Sequence, residues 1–162
     1  MSPSKLAACA ALACVWLGCG GFVQRPLTAQ EAKIAAHYTN NDPAWGVLAH
    51  ATVSTDRAKG QLSADFGPEV KALAGKTFKV SGFITPLETE TRTRHFIVTR
   101  RSTTCPFCAP NEPTEAVEVR LTEPTPFTEE EVAVRGRLVL TRTSDEGLFY
   151  TLVDATRVTD GS

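Results

Sequence analysis

Along the C-terminal part of the chain, apolar residues return at every second position. Val117, Val119 and Leu121 alternate with Glu118 and Arg120, and Val132, Val134, Gly136, Leu138 and Leu140 alternate with Ala133, Arg135, Arg137 and Val139. A period of two sends successive side chains to opposite faces of a pleated strand, so strands are predicted over Ala116–Leu121 and Val132–Thr141. Three more fit the same pattern: Lys76–Leu87 with Phe78, Val80, Gly82 and Ile84; Arg94–Arg100 around His95-Phe96-Ile97-Val98-Thr99; and Leu148–Val158, entered by the turn Ser144-Asp145-Glu146-Gly147. The first and fourth strands each carry an internal glycine, which marks a bend or bulge. Five such strands with turn signals between them predict a mainly β fold, a small five-stranded OB-like β-barrel. An irregular antiparallel sandwich is the competing arrangement.

Upstream the pattern is helical and weaker. Thr28 stands three residues before Glu31, as in a capping box, which predicts a short helix over Ala29–Tyr38. Asn40-Asn41-Asp42-Pro43 ends it. A second helical stretch spans Trp45 to Ala51, with Trp45, Val47 and Leu48 packing on the main body. A polar connector follows, containing Phe66-Gly67-Pro68-Glu69 and leading into a helical turn through Leu73.

The extreme N-terminus has a different character. Lys5 is followed by an uncharged run from Leu6 to Phe22, rich in alanine and small residues. This is the layout of a secretory signal, although a stretch approaching about 20 apolar residues also invites a membrane-anchor reading. Its end, Val15-Trp16-Leu17-Gly18-Cys19, has the form of a bacterial lipoprotein signal, with Cys19 as the lipidated residue and new N-terminus. Trp16 departs from the aliphatic residue usual at that position. Cys9 and Cys14 are poorer lipidation candidates, and an ordinary cleaved signal leaving a soluble periplasmic protein is the plainer alternative. The predicted division is a signal peptide at 1–18, a tether at 19–30, a short helical N-terminal segment at 31–59 and the OB-like barrel at 60–158.

Composition agrees with one folded domain. Of 162 residues, 42% are hydrophobic and 22% charged, too apolar a mixture for a disordered chain. With 17 Lys+Arg against 18 Asp+Glu, the formal charge of −1 supplies no field to attract a phosphate backbone, so nucleic acid is not an expected partner. Arg92, Arg94, Arg100 and Arg101 bracket one strand, but as solvated strand ends. Glu129-Glu130-Glu131 is expected in a solvated turn or short helical start after Thr128, and only secondarily as a cation site.

Five cysteines resolve into three in the leader region and one pair, Cys105 and Cys108. In Cys105-Pro106-Phe107-Cys108 three chemistries compete. Two thiolates at this spacing can chelate one ion, zinc or Cu(I), with His95 as the first candidate for a third ligand and Glu112, His37 and His50 as poorer ones. The motif also resembles a thiol-disulfide exchange centre. That chemistry needs a helix N-terminus to lower the thiol pKa, and Pro110 and Pro113 oppose a following helix. Third, in an exported chain the pair can be a structural disulfide. Covalent haem is excluded, because Ala109 occupies the place of the axial histidine. No Ser-His-Asp pattern, phosphate loop or His-Glu-x-x-His is present, so no enzyme is expected.

The stretch Leu73-Ala74-Gly75-Lys76 through Gly82-Phe83-Ile84-Thr85-Pro86-Leu87, then His95–Val98, Thr104–Cys108 and Val117–Leu121, resembles an uncharacterised family of small bacterial exported OB-like domains, many of them lipoproteins. The resemblance covers about residues 60–158. Members are often found near ABC-transporter and metal-handling genes. It therefore implies a lipid-anchored protein on the periplasmic side of the cell envelope. There it would be a metal-binding or accessory component of a transport or metal-homeostasis system, with the membrane, an ABC transporter or other envelope proteins as partners. A thiol-disulfide oxidoreductase and a structural interaction module with a disulfide are the alternatives.

Overall fold

The computed structural model describes residues 25–159. Cys9, Cys14 and Cys19, and with them the signal-peptide and lipidation expectations, lie outside the described residues. Two short helices come first, α1 (Ala29–His37) and α2 (Pro43–Leu48), followed by strands β1 (Ala51–Asp56) and β2 (Gln61–Phe66) and the helical turn α3 (Pro68–Lys71). The remainder is strand: β3 (Thr77–Pro86), β4 (Arg92–Thr99), β5 (Ala116–Pro126), β6 (Val132–Leu140), the two-residue β7 (Thr143–Ser144) and β8 (Tyr150–Val158). Among the described residues no helix is long and apolar enough to cross a membrane.

The expected five strands close into a barrel in the order β3-β4-β5-β8-β6, with β6 returning to pair with β3. All contacts are antiparallel except β5 with β8, which run parallel. Closure removes the exposed edges that an open sheet of this size would present. The period-two pattern sets the inside: Val117, Val119, Val132, Val134, Leu138 and Leu152 are almost wholly shielded, while Arg120, Arg135 and Arg137 face out.

Glycine makes two of the turns in the barrel wall. At Gly82, β3 stops pairing with β6 (Gly82 opposite Val132) and begins pairing with β4 (Phe83 opposite Thr99). A Cβ there would collide with the Thr99 carbonyl and lie 2.8 Å from Val98 Cγ1. At Gly136 a Cβ would sit 2.8 Å from Ala155 Cβ and 2.9 Å from the Val153 carbonyl. Facing Gly136, β8 carries an extra residue, Asp154, whose φ of 52° lies in the left-handed region that aspartate tolerates better than most.

The N-terminal helices dock on this wall. Thr28 and Glu31 form the expected capping box at α1. Glu31 also takes two hydrogen bonds from Arg25, and these donors hold its carboxyl down at about 2. Trp45 is buried as expected, and its Nε1 donates to the Ser81 carbonyl at 2.9 Å and to Asn40 Oδ1 at 3.2 Å. Tyr150 donates its hydroxyl proton to the Leu48 carbonyl at 2.7 Å, and burial raises its pKa to about 12.

The connector after α2 differs from the sequence expectation. Instead of irregular chain it is a hairpin, β1 with β2, turning at Gly60 (φ 64°) and extended by β7 into a three-stranded sheet. β1 is mostly exposed, so Thr, Ser and Asp serve where apolar residues would have signalled a strand. The tyrosine ring of Tyr150 lies 5.7 Å from Phe66 and joins the two sheets in one core.

The bend at Gly82 has a direct test. Gly82→Ala is expected to cost about 3 kcal/mol, because a methyl group cannot be absorbed by backbone atoms. Gly46→Ala in α2, where nothing lies within 4 Å, should gain about 0.5–1 kcal/mol from reduced chain entropy. Urea unfolding of the two variants checks this, and equal effects would mean that the close approach at Gly82 is not required.

Candidate functional site

The Cys105–Cys108 motif lies on the long loop that joins β4 to β5. The chain turns twice between Thr103 and Cys108, which brings the two Cα atoms to 5.5 Å, and the sulfurs are joined in a disulfide. Neither sulfur is a thiolate in this state. Cys105 is followed by turn residues and then Pro110 and Pro113, and the next regular element is only a 3-10 turn at Pro113–Glu115. Among the described residues no helix begins at either sulfur to favour a thiolate.

The loop is fastened at its base by an ion cluster. Glu115, 8% exposed, accepts from Arg100 Nη1 at 3.0 Å through one carboxylate oxygen and from Arg101 Nη2 through the other. Arg101 also donates to the Pro110 carbonyl. Its backbone exchanges two hydrogen bonds with the Asn111 side chain, each 2.8 Å. One group is left out: Arg101 Nε is buried without a partner. On the opposite side the loop meets the N-terminal segment. Ser102 N–H donates to the Tyr38 carbonyl, Asn40 N–H to the Arg100 carbonyl, and Cys108 Sγ lies 3.7 Å from the Ala35 carbonyl. The disulfide thus sits where α1 and the β4–β5 loop touch.

His95 occupies another surface. A bulge between Thr93 and His95, bridged by Thr93 Oγ1, aims the imidazole out of the barrel wall. Its Nε2 meets Glu118 Oε1 at 2.7 Å across to β5. Arg120 and Thr151 also donate to Glu118, Thr151 from β8 at 3.0 Å. Burial pushes the Glu118 carboxyl up, but the three donors together pull it below the ordinary glutamate value. A lowered carboxyl pKa stabilises the fold above the unfolded glutamate range and withdraws that support as acid titrates Glu118.

The other residues weighed as ligands are dispersed. His50 pairs with Glu69, His37 packs edge-on against Tyr38, and Glu112 caps the 3-10 turn. Among the described residues no group of three or more His, Cys, Asp and Glu side chains is arranged to hold a metal ion. The arginines form no ridge, since Arg92 donates to the Pro124 carbonyl while Arg100 and Arg101 share Glu115. After Thr128 the chain bends without a helix, and Glu131 accepts from Asn40 Nδ2 at 2.9 Å.

No protein-family model matches the chain, and no curated protein matches its sequence. Among solved structures, a protein of the uncharacterised DUF3299 family from Pseudomonas aeruginosa PAO1 is similar at 21% identity over 61% of this chain and 70% of its own, with a TM-score of 0.46.

The geometry ranks the two fastenings of the loop. So short a disulfide ring removes little chain entropy, and Cys105→Ser with Cys108→Ser should cost about 2 kcal/mol. Glu115→Ala strands two guanidinium groups and should cost about 3–5 kcal/mol. Thermal unfolding of both variants checks the order; a larger loss from the cysteines would move the weight to the disulfide.

Proposed function

We propose that the protein is an exported, lipid-anchored accessory component of an envelope transport or metal-homeostasis system, acting by binding through its barrel and not by turnover. The Cys105–Cys108 bridge carries this reading, because disulfides persist in oxidising compartments outside the cytosol. It agrees with a chain whose first 18 residues read as a secretory leader that would leave Cys19 as the new N-terminus. Closing a tight turn within a loop packed against α1 is a structural task, and the absence of a thiolate-stabilising helix after Cys105 among the described residues makes disulfide exchange the weaker reading. Holding zinc or Cu(I) at this motif requires reduction of the bridge to two thiolates, and zinc needs further ligands to reach its usual coordination.

Anchoring is tested by fractionating cells that express the full chain. The wild-type protein is expected in membranes, released by detergent and not by salt, since more than one acyl chain is needed for stable anchoring. Cys19→Ser should move it to the soluble periplasmic fraction. Unchanged membrane association of Cys19→Ser molecules whose leader has been cleaved overturns the anchor.

A further inference from the structure

β1 is an open edge of the smaller sheet. In the order β1-β2-β7 it has β2 on one side and, among the described residues, no strand on the other. Which of its backbone groups are unused follows from two hydrogen bonds. Gly67 N–H donates to the His50 carbonyl at 2.7 Å, in the register that sets Ala51 opposite Phe66, so His50 and Gly67 are a hydrogen-bonded pair. Such pairs alternate along an antiparallel ladder. Thr52, Ser54 and Asp56 therefore bond β2, while the amides and carbonyls of Ala51, Val53 and Thr55 point away from it. The same alternation holds on β2, where Ala64, opposite Val53, turns its N–H away from β1 to the Arg142 carbonyl at 2.8 Å. None of the outward backbone groups of Ala51, Val53 and Thr55 has a partner among the described residues.

Exposed edges of this kind are usually guarded by lysine, proline or a bulge. β1 has none of these: Ala51–Thr55 is uncharged, and its pairing with β2 runs without a register shift. Its two faces differ. Ala51 and Val53 pack against the hydrophobic core yet stay half-buried, whereas Thr52 and Ser54 are exposed. The fitting occupant is an extended strand that brings an apolar side chain beside Val53 and small polar ones beside Thr52 and Ser54. β1 itself meets these terms. Placed antiparallel about a two-fold axis at Val53, two copies set Val53 opposite Val53, Ala51 opposite Thr55 and Thr52 opposite Ser54, and every outward amide meets an outward carbonyl. Asp56 comes opposite His50 and not opposite another carboxylate.

From this self-complementarity we infer that a second copy of this chain docks edge to edge on β1, joining the two small sheets into one and their cores through Val53. Two such short strands bury less surface than a standard interface of about 1,600 Å², so the dimer is weak and reversible. The inference rests on the sheet edge alone and does not depend on the envelope reading.

Cross-linking in cells that express the full chain tests it. Thr52 and Ser54 of opposed copies form a pair without mutual hydrogen bonds, about 4.5 Å apart at Cα, within the span of a disulfide. Two differently tagged chains, one with Thr52→Cys and one with Ser54→Cys, are expressed together, oxidised with diamide and alkylated. A disulfide between positions 52 and 54 of unlike chains, identified by peptide mass, is expected. Adding Thr55→Pro to both chains removes an outward amide without touching the ladder to β2, and should lower the yield about tenfold. As a measure of random collision, Ala36→Cys on the exposed side of α1 replaces Thr52→Cys and should link to position 54 at least about tenfold less; this control does not depend on how Thr55→Pro folds. No link between positions 52 and 54, a link equalled by the Ala36→Cys control, or a link undiminished by Thr55→Pro overturns the dimer.

Discussion

The close approach of two strands at Gly82 is the constraint on which the rest of the structure depends. There β3 exchanges one partner for another, and the barrel closes only because the Thr99 carbonyl can lie where a side chain would begin. The same spot receives the N-terminal segment. Trp45 Cζ2 is 3.1 Å from the position a Gly82 Cβ would take, and the indole nitrogen is tied to the neighbouring Ser81 carbonyl. Barrel closure and helix docking are therefore one packing event, and the buried indole links them through a hydrogen bond that satisfies its polar atom.

Docking of the N-terminal segment in turn places the cysteine loop. Asn40, 5% exposed, accepts from Trp45 and donates to Glu131, and its backbone receives and gives hydrogen bonds to Arg100. From Arg100 the chain runs directly into the loop that Glu115 clamps and Cys105–Cys108 cross-links. The cross-link lies at the end of a chain of contacts that begins at Gly82. It closes a tight turn in the loop that packs against α1. Closing that turn requires neither a metal nor an exchange partner.

Much of the barrel was legible in the sequence because its inside and outside alternate without exception over Val117–Leu121 and Val132–Leu138. Gly82 and Gly136 were legible as interruptions for the same reason. The β1–β2 hairpin was not, since a strand exposed on one side and built of Thr and Ser leaves no apolar period to detect. The neighbour of His95 was equally hidden. Glu118 and Arg120 read as the polar side of an amphipathic strand, and only the register of β4 on β5, shifted by the bulge at Thr93, brings Glu118 to the imidazole. The spacing of Cys105 and Cys108 permitted thiolates and a bridge alike. It is the turn geometry of the loop that joins the sulfurs, and no local pattern announced the Arg100–Arg101–Glu115 clamp, whose members are separated by the whole loop.

If the Cys105–Cys108 bridge is a permanent clasp of an exported protein, its state in the cell decides the matter. Cells expressing the full chain are quenched in acid, treated with an alkylating reagent under denaturing conditions, and the peptide containing both cysteines is weighed. A single population without alkylation, lighter than the dithiol by the two thiol hydrogens, is the predicted result. Alkylation of both sulfurs in most molecules, or a metal ion retained by the native protein and lost in Cys108→Ser, would contradict the clasp and restore the thiolate chemistry.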